Sequence, residues 1–468
     1  MELITRDSAQ GRWVLTAAVL GSGMALLDGT VVNIALRSLG DSLDASVSEL
    51  QWVVNAYLLS LASLILVGGS LGDRVGRRRV FMIGVGWFAA ASALCAIAQT
   101  PVQLIVARLV QGIGAALLTP GSLAMIQGSF RREDRARVIG SWAGLGGIAA
   151  AIGPLLGGWI IDNASWRWIF WINVPIAVGV LAISAVHVPE TLDPESRRGF
   201  DVAGGALGAV GLGGLTYAMI EAGVAPTGYV VTAAVTGVVA LVVFLGWERR
   251  TARPLVPLHL FGSRVFSVAN AMTFLVYAAL GAVMFFLVLQ LQVTTGFSPL
   301  EAGLATVPIT VALLLLSSRS AALAARIGPR TQMSFGPVLC GVGVLMLRGV
   351  GEGSGYLTAV LPGITVFALG LATLVAPLTS TVLAATSDSH AGTASGINNA
   401  VARTGSLFAV AALPAAVGIT GDDYQSPAVF TSGYAAAMLA CSLLLLAGGV
   451  VSFVGLRAGT ASPAATTR

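Results

Sequence analysis

The sequence is poor in charge and in residues that ligate metals. Charged residues make up 10% of its 468 residues, all 26 basic residues are Arg, and only three His and three Cys occur. The cysteines, Cys95, Cys340 and Cys441, lie far apart in apolar runs, which argues against a disulfide framework or a metal site. The histidines show no ligand spacing either. We therefore expect no cofactor and no bound metal.

Hydrophobic runs fill most of the chain. Hydrophobic residues account for 56% of the sequence, and apolar stretches of about twenty residues, each long enough to cross a bilayer as a helix, recur from end to end. A transmembrane barrel would show alternating segments of about ten residues instead. The sequence therefore predicts an all-α membrane protein whose main surroundings are the lipid bilayer.

The arginines predict how the chain is threaded through the membrane. Fourteen apolar spans can be drawn, and with a cytoplasmic N-terminus the outside loops hold only Arg37, Arg167 and Arg348. Arg108 and Arg403 fall within spans, and every other Arg is inside, as the positive-inside rule requires. Both termini are then cytoplasmic, with the first span retained. Basic residues scattered in this way do not suggest nucleic-acid binding.

Two loops of the chain are similar to each other. Residues 71–78 read LGDRVGRR and residues 323–330 read LAARIGPR, so Leu, Arg, Gly and Arg recur at matching offsets. This pattern is typical of two parallel repeats. The copies follow the second and tenth spans, eight apart, where two six-helix halves would put them six apart. We therefore predict an N-terminal six-helix bundle over 1–190, two inserted helices over 191–263 and a C-terminal six-helix bundle over 264–468.

Several segments resemble the motifs of a known family. The loop from Gly69 reads GSLGDRVGRRRVF, and other spans contain LDGTVVNIAL, RLVQGIGAALLTP, AAAIGPLLGGWI, WRWIFWINVPI and NNAVARTG. Together they resemble the fourteen-helix drug:proton antiporters of the major facilitator superfamily. The resemblance implies the major facilitator fold, with two six-helix bundles plus two central helices. It also implies export of drugs in exchange for protons.

The chain departs from the family pattern in a few places. Arg37 stands where family members usually have Pro, and Ala149 stands where the antiporter motif begins with Gly. The thirteenth helix carries Asn398, Asn399 and Arg403 without a carboxylate, whereas several multidrug members carry acids there. This last difference argues against dicationic substrates.

An acid in the first span requires an explanation. Burying an ionised carboxylate in a span costs about 2.5–3.5 kcal/mol on insertion scales, so such residues usually face a bundle interior or an aqueous cavity. We predict that Asp28 couples transport to protons and that Arg108, with Gln111 one turn later, assists it. The alternatives are a hydrated Asp28 that shapes the outer mouth, and an Arg108 that only holds helices together.

The resemblance assigns further roles to residues of the loop and of helix 5. The loop is expected to be a gating latch, although topology alone would explain its arginines; its residues are Gly69, Asp73, Arg74, Gly76, Arg77 and Arg78. Ala325 replaces the acid in the second copy. Helix 5 is expected to shape an antiport interface, with small-residue packing as the alternative, through Gly153, Pro154, Gly157 and Gly158. The substrate cavity is assigned to Thr30, Asn33, Gln111, Asn398, Asn399 and Arg403, with Arg403 serving equally well in a polar network.

These observations favour a monomeric secondary transporter over the other classes of membrane protein. A channel needs a continuous polar stripe, and an enzyme needs clustered ligands or a nucleophile with its base; the sequence offers neither. We expect the export of a small hydrophobic or amphiphilic compound in exchange for protons. A dedicated exporter of one secondary metabolite is the alternative. Glu221 lies near the outer end of the seventh span, so the sequence leaves open whether this residue lies within the membrane.

Overall fold

A computed structural model describes residues 4–192, 201–386 and 391–456. Within these ranges the chain forms helices joined by short loops, and no β-strand is present. The helices are α1 (Ala9–Leu43), α2 (Val47–Val75), α3 (Arg77–Ile97), α4 (Pro101–Ser129), α5 (Arg132–Asn163), α6 (Trp168–Trp171), α7 (Asn173–His187), α8 (Val202–Ile220), α9 (Thr227–Glu248), α10 (Arg264–Val293), α11 (Pro299–Ala305), α12 (Val307–Ile327), α13 (Pro329–Leu347), α14 (Leu361–Ala384), α15 (Ala391–Ala416) and α16 (Pro427–Gly455).

The helices match the predicted membrane spans. Twelve helical segments in the described ranges are long and apolar enough to cross a membrane, with α6 and α7 forming one segment and α11 and α12 another. Helices α13 and α15 coincide with the two remaining predicted spans. The prediction of an all-α, multi-pass membrane protein is therefore confirmed. The chain termini, predicted to be cytoplasmic, fall outside the described residues.

The helices pack into two compact units. The first contains the chain up to Val256 together with Phe297–Leu304 and Ile419–Gln425, and the second contains the rest. In the first unit, α4 packs against α2 and α3, α5 packs against α1, and α8 packs against α9 and α2. In the second, α10 packs against α15 and α16, and α13 packs against α14 and α16. The predicted division into two bundles and an inserted pair of helices stays a prediction.

Side chains near the helix ends fix where several helices begin. Ser46 and Glu49 form a capping box at the start of α2. The side chain of each residue accepts a hydrogen bond from the backbone N–H of the other. Thr100 caps α4 by accepting from Gln103 N, and Pro101 occupies the first turn, where its missing N–H costs nothing. These caps define the depth at which α2 and α4 carry their polar residues.

Close contact between α2 and α4 depends on Gly112. A Cβ at this residue would lie 2.5 Å from the carbonyl oxygen of Tyr57 and would also collide with Ser60. The backbones of α2 and α4 therefore approach each other more closely than side chains would allow. Arg108 lies one turn away on the same face of α4, and this approach brings its guanidinium group within reach of the α2 backbone.

Candidate functional site: a buried carboxylate between helices

Asp28 lies in the middle of α1, in the interior of the first unit. Its side chain is 1% exposed and forms an ion pair with NH1 of Arg108 on α4 through Oδ2. Its other oxygen, Oδ1, accepts from Nε2 of Gln111 at 2.9 Å and from Nδ2 of Asn173 at 3.4 Å. The carboxylate thus receives donors from α4 and α7, which is what a buried charge requires.

Arg108 is fixed as firmly as its partner. Its Nε donates to the carbonyl oxygen of Val53 on α2 at 3.1 Å, and its NH1 also donates to Oε1 of Gln111 at 2.7 Å. The guanidinium carbon lies 4.3 Å from the centre of the Tyr57 ring and 5.8 Å from that of Phe170, in cation–π geometry. Arg108 therefore connects α4 to α2 and α1 through one charged group.

A second layer of polar groups holds the residues that touch Asp28. Oγ of Ser92 on α3 accepts from Nδ2 of Asn173 at 3.0 Å and from Nε2 of Gln111 at 3.3 Å, and it donates to the carbonyl oxygen of Phe170 at 2.9 Å. Ser92, Gln111 and Asn173 are all fully buried. We call Asp28, Arg108, Gln111, Asn173 and Ser92 the polar centre.

The polar centre brings together three residues that the sequence analysis had singled out and two that it had not. Asp28, Arg108 and Gln111 meet, whereas Asn173 and Ser92 were not proposed. Asn173 lies in the quoted segment WRWIFWINVPI, at the start of α7 just after the break that separates α6 from α7. The amide of Asn173, inside an otherwise apolar segment, is the sequence feature that could have indicated its place in the polar centre.

The polar centre holds an ion pair in the interior of the first unit. Asp28 and Arg108 are each 1% exposed, and donors occupy both oxygens of the carboxylate. Loss of the charge on Asp28 would weaken the hold on Arg108 and Gln111. The contacts between α1 and α4 at this centre therefore depend on that charge.

The residues of the antiporter segment lie along α1, one turn from Asp28. A Cβ at Gly153 would collide with Oγ1 of Thr30, and a Cβ at Gly157 would lie 2.6 Å from Cγ1 of Val31. Thr30 donates to the carbonyl oxygen of Leu27 at 2.9 Å and faces α5. The small residues of α5 thus allow it to pack directly on the turn of α1 that follows Asp28.

Pro154 and Gly158 lie beside α11, which belongs to the same unit. A Cβ at Gly158 would lie 2.6 Å from Cα of Leu300, and the space at Gly303 is limited by the carbonyl oxygen of Pro154. Asp162, one turn further along α5, accepts from the backbone N–H of Leu300 at 3.1 Å. The antiporter segment therefore has close contacts on two sides, and its expected role in shaping an antiport interface stays a prediction.

The loop between α2 and α3 binds the segment that follows α7. Asp73 accepts from Nε of its neighbour Arg77 at 2.8 Å. Gly76 has a φ of +126°, and a Cβ there would lie 2.6 Å from Oε1 of Glu190. Glu190 accepts from the backbone N–H groups of Arg78 and Arg79 at 3.1 and 3.3 Å, so this acid caps the N-terminus of α3.

The remaining loop residues lie around this junction. Gly69 faces Pro120 of α4, whose Cβ would be 3.5 Å from a Cβ at Gly69. Arg74 is exposed, and NH1 of Arg78 donates to the carbonyl oxygen of Val188 at 3.1 Å. The loop is thus joined to the end of α7 by Glu190 and Arg78, while Asp73 makes a local pair.

We expect Asp73→Asn to slow transport without weakening substrate binding. The Asp73–Arg77 pair is partly exposed, so its loss should cost at most about 1 kcal/mol and leave the fold intact, yet shift the populations of conformers. Paired binding and transport assays on the same preparation test this. Glu133→Gln, an exposed acid on the same predicted side, is the control. A fall in binding that matches the fall in transport, or no change in either, would refute the latch.

The predicted cavity residues of the second unit form a separate group. Nδ2 of Asn398 on α15 donates to Oγ1 of Thr273 at 2.8 Å and to Oδ1 of Asn270 at 3.2 Å, both on α10. Asn399 is exposed and donates to the carbonyl oxygen of Ser395. Asn398 thus belongs to a polar network between helices.

Two further polar residues of the cavity prediction are half-buried. Arg403 on α15 lies near Tyr277 of α10, and Asn33 on α1 donates to the carbonyl oxygen of Gly29 at 3.3 Å. The role of both residues in binding the substrate therefore stays a prediction.

Glu221 ends α8 and has a partner of its own. It is the C-cap residue of α8, and its Oε1 accepts from the indole N–H of Trp52 on α2 at 2.9 Å. Trp52 lies near the start of α2, one turn after the capping box. This contact joins α8 to α2 at the residue before Val53, whose carbonyl oxygen accepts from Arg108.

The chain is similar to antibiotic and multidrug resistance proteins along most of its length. Residues 18–410 match the sequence profile of the Major Facilitator Superfamily. The chain is 34% identical over 460 residues to the methylenomycin A resistance protein of Bacillus subtilis, with 97% of each chain covered. It is also 34% identical over 402 residues to the multidrug resistance protein Stp of Mycobacterium tuberculosis, covering 85% of this chain and 74% of the relative.

The fold is also found among solved structures. A bacterial homologue of the human drug peptide transporters PepT1 and PepT2 superposes with a TM-score of 0.70, covering 96% of this chain and 98% of that one. The two sequences are 15% identical. The likeness confirms the predicted major facilitator fold.

Proposed function

Since this chain belongs to the Major Facilitator Superfamily, we propose that it exports hydrophobic or amphiphilic drugs or antibiotics in exchange for protons. Alternating access in the cytoplasmic membrane would carry the substrate outward while protons enter. In this proposal the protein is a monomer, both of its termini are cytoplasmic, and it catalyses no covalent chemistry. The names of the relatives, one a methylenomycin A resistance protein and one a multidrug resistance protein, support this substrate class.

The observation that carries the proton coupling is the burial of Asp28 against Arg108. Asp28 is buried and has donors on both of its oxygens. The carboxylate can therefore bind a proton only if the helices around it rearrange. A proton arriving from outside would neutralise Asp28, free Arg108 and Gln111, and favour another conformer. Release of the proton inside would restore the ion pair and complete the cycle.

The driving force is sufficient for export. Each proton that enters contributes about 2.3 kcal/mol per 100 mV of membrane potential and about 1.36 kcal/mol per pH unit. At 100 mV and one pH unit the two contributions total about 3.7 kcal/mol, so one proton per cycle sustains a gradient of roughly several hundredfold for a neutral compound. The proposal therefore needs a single coupling carboxylate, which is the number that the polar centre supplies.

Drug-susceptibility profiling of a pump-deficient host that expresses the protein tests the exporter proposal. We expect raised resistance to several unrelated amphiphilic compounds. Resistance confined to one compound would favour the alternative, a dedicated exporter of a secondary metabolite. No change for any compound, with the protein present in the membrane, would contradict both.

We predict that neutral, monocationic or weakly anionic compounds are exported in preference to dications. The predicted spans contain one clear acid, Asp28, and two bases, Arg108 and Arg403, so a dication would compete with the proton for a single carboxylate. Its second charge would lose its hydration without gaining a partner, and each 1.4 kcal/mol of that cost lowers binding about tenfold. Resistance to mono- and divalent dyes of similar hydrophobicity measures the preference.

The variant Glu221→Gln tests whether Glu221 is a second acid of the cavity. Its carboxylate is bound to Trp52 at the end of α8, so we expect the variant to leave the dye preference unchanged. Strong export of the divalent dyes that disappears in Glu221→Gln would mean that Glu221 serves as a second acid of the cavity.

A further inference from the structure

A groove opens between α13 and α16 at the end of the second unit where α13 begins. It has a volume of about 430 Å³. Its walls include Phe335, Val450 and Phe453, which are all more than half exposed, and Arg330, Thr331 and Ser334 lie on the first turns of α13 beside them. The groove therefore combines an apolar floor with a basic and hydroxyl-bearing end.

Two arginines converge on the end of α16 next to this groove. Nε and NH2 of Arg330 donate to the carbonyl oxygen of Phe453 at 3.1 and 2.9 Å, and its guanidinium carbon lies 4.5 Å from the centre of the Phe453 ring. Arg264 of α10 donates to the carbonyl oxygens of Val454 and Gly455 at 2.9 and 2.8 Å. These bonds orient both guanidinium groups, and among the described residues NH1 of each has no acceptor.

The internal repeat gives this site a counterpart in the first unit. In the aligned loops Gly76 corresponds to Gly328, and Arg78 corresponds to Arg330; both glycines have positive φ, +126° and +83°, and both begin a helix. In the first unit Arg78 binds the end of α7 and lies beside the carboxylate of Glu190, which also accepts from its backbone N–H.

The second unit keeps the arginine, but its described residues show no acid in the place of Glu190. Among residues 201–386 and 391–456 no carboxylate pairs with Arg264 or Arg330. In the described part of the chain, this cationic helix start therefore has no anion, and it lies at the edge of an apolar groove.

We propose that this groove binds an anionic phospholipid, whose phosphate takes the place that Glu190 fills in the first unit. The phosphate lies between Arg330 and Arg264 with the hydroxyl of Thr331, and an acyl chain lies against Phe335 and Phe453. The positive-inside assignment puts this end at the cytoplasmic leaflet, where anionic lipids attract arginines. The exposed apolar walls favour a lipid over a free anion.

Native mass spectrometry of the full-length protein, delipidated in detergent, tests the proposal. Phosphatidylglycerol, phosphatidylcholine and glycerol 3-phosphate are added separately. We expect one tightly held phosphatidylglycerol, a preference over phosphatidylcholine of at least about fivefold, and no retained glycerol 3-phosphate. Arg330→Gln should lower the affinity for phosphatidylglycerol about fivefold. Arg250→Gln, which removes an exposed arginine of the first unit, should leave the affinity unchanged.

Equal binding of the two lipids by the unaltered protein, or equal losses in Arg330→Gln and Arg250→Gln, would overturn the proposal. Retention of glycerol 3-phosphate at the affinity of the whole lipid would mean a simple anion site and would overturn it as well. Because Arg330 also caps α16, Val450→Trp is a second variant that keeps every charge and fills the groove. It should weaken binding of phosphatidylglycerol, and undiminished binding would contradict the acyl-chain position.

Discussion

Asp28→Asn is expected to abolish uphill export while leaving the protein folded and inserted, because Arg108 keeps the carbonyl oxygen of Val53 and Oε1 of Gln111 as acceptors. The amide has the shape of the carboxylate, but its single oxygen can accept only from the side of Arg108 or from that of Gln111, and it cannot exchange a proton. Accumulation of a fluorescent substrate in energised everted vesicles should fall to the level of vesicles that lack the protein. Downhill movement of substrate, which needs no coupling, should survive.

The control for this variant is Asp41→Asn, on the same helix. Asp41 is exposed and lies 3.8 Å from Nε of Arg37, so its carboxylate has access to water and contributes little. It should export at the rate of the unaltered protein. Uphill accumulation by Asp28→Asn at that same rate would remove Asp28 from the mechanism.

Arg108→Gln is expected to have the largest effect on folding. It leaves the carboxylate of Asp28 buried and without its charged partner, and removing one member of a buried ion pair typically costs about 3–5 kcal/mol. The bond to the carbonyl oxygen of Val53 is lost as well, so α4 is no longer joined to α2 at this level. The yield of monodisperse protein and its melting temperature in detergent should both fall sharply.

The double variant Asp28→Asn with Arg108→Gln separates stability from coupling. Without either charge the polar centre no longer contains an uncompensated ion, so the yield should return towards normal while uphill export stays absent. Arg348→Gln, an exposed arginine at the end of α13, should change neither property. If the double variant is as unstable as Arg108→Gln alone, the ion pair is not what Arg108 contributes.

The charged members of the polar centre were predictable because charged residues are rare and costly within membrane spans. An acid and an arginine within apolar spans need partners, and Asp28 and Arg108 prove to be partners of each other. Ser92 and Asn173 gave no such signal, because hydroxyl and amide groups are tolerated in many helices. Their contacts depend on how α3, α4 and α7 pack, which periodicity alone does not specify.

The loop after α2 shows the same limit of sequence reasoning. The spacing of Gly76 and the arginines indicated a special junction, and the positive φ of Gly76 agrees with that. The acid that occupies the junction, however, is Glu190, more than a hundred residues further along the chain. Only the folded chain brings the end of α7 to the start of α3, so the sequence pointed to Asp73 instead.

Helix number and helix limits differ in how far hydropathy determines them. The predicted spans were recovered because length and apolar composition decide whether a segment can cross a bilayer. The limits are set by caps and turns beyond the apolar run, so α1 extends from Ala9, next to its cap residue Ser8, to Leu43, where Asp44 adopts a left-handed conformation. The packing of α8 on α2 was not predicted, because the small residues of α8 do not indicate which helix packs against them.

The proposed antiport requires Asp28 to carry the proton that exchanges with the substrate. The most direct measurement is the pH change inside sealed proteoliposomes when a substrate gradient is imposed, compared between the unaltered protein and Asp28→Asn. We expect a substrate-driven proton flux for the unaltered protein and none for Asp28→Asn at equal substrate binding. An equal proton flux in the two proteins would contradict it.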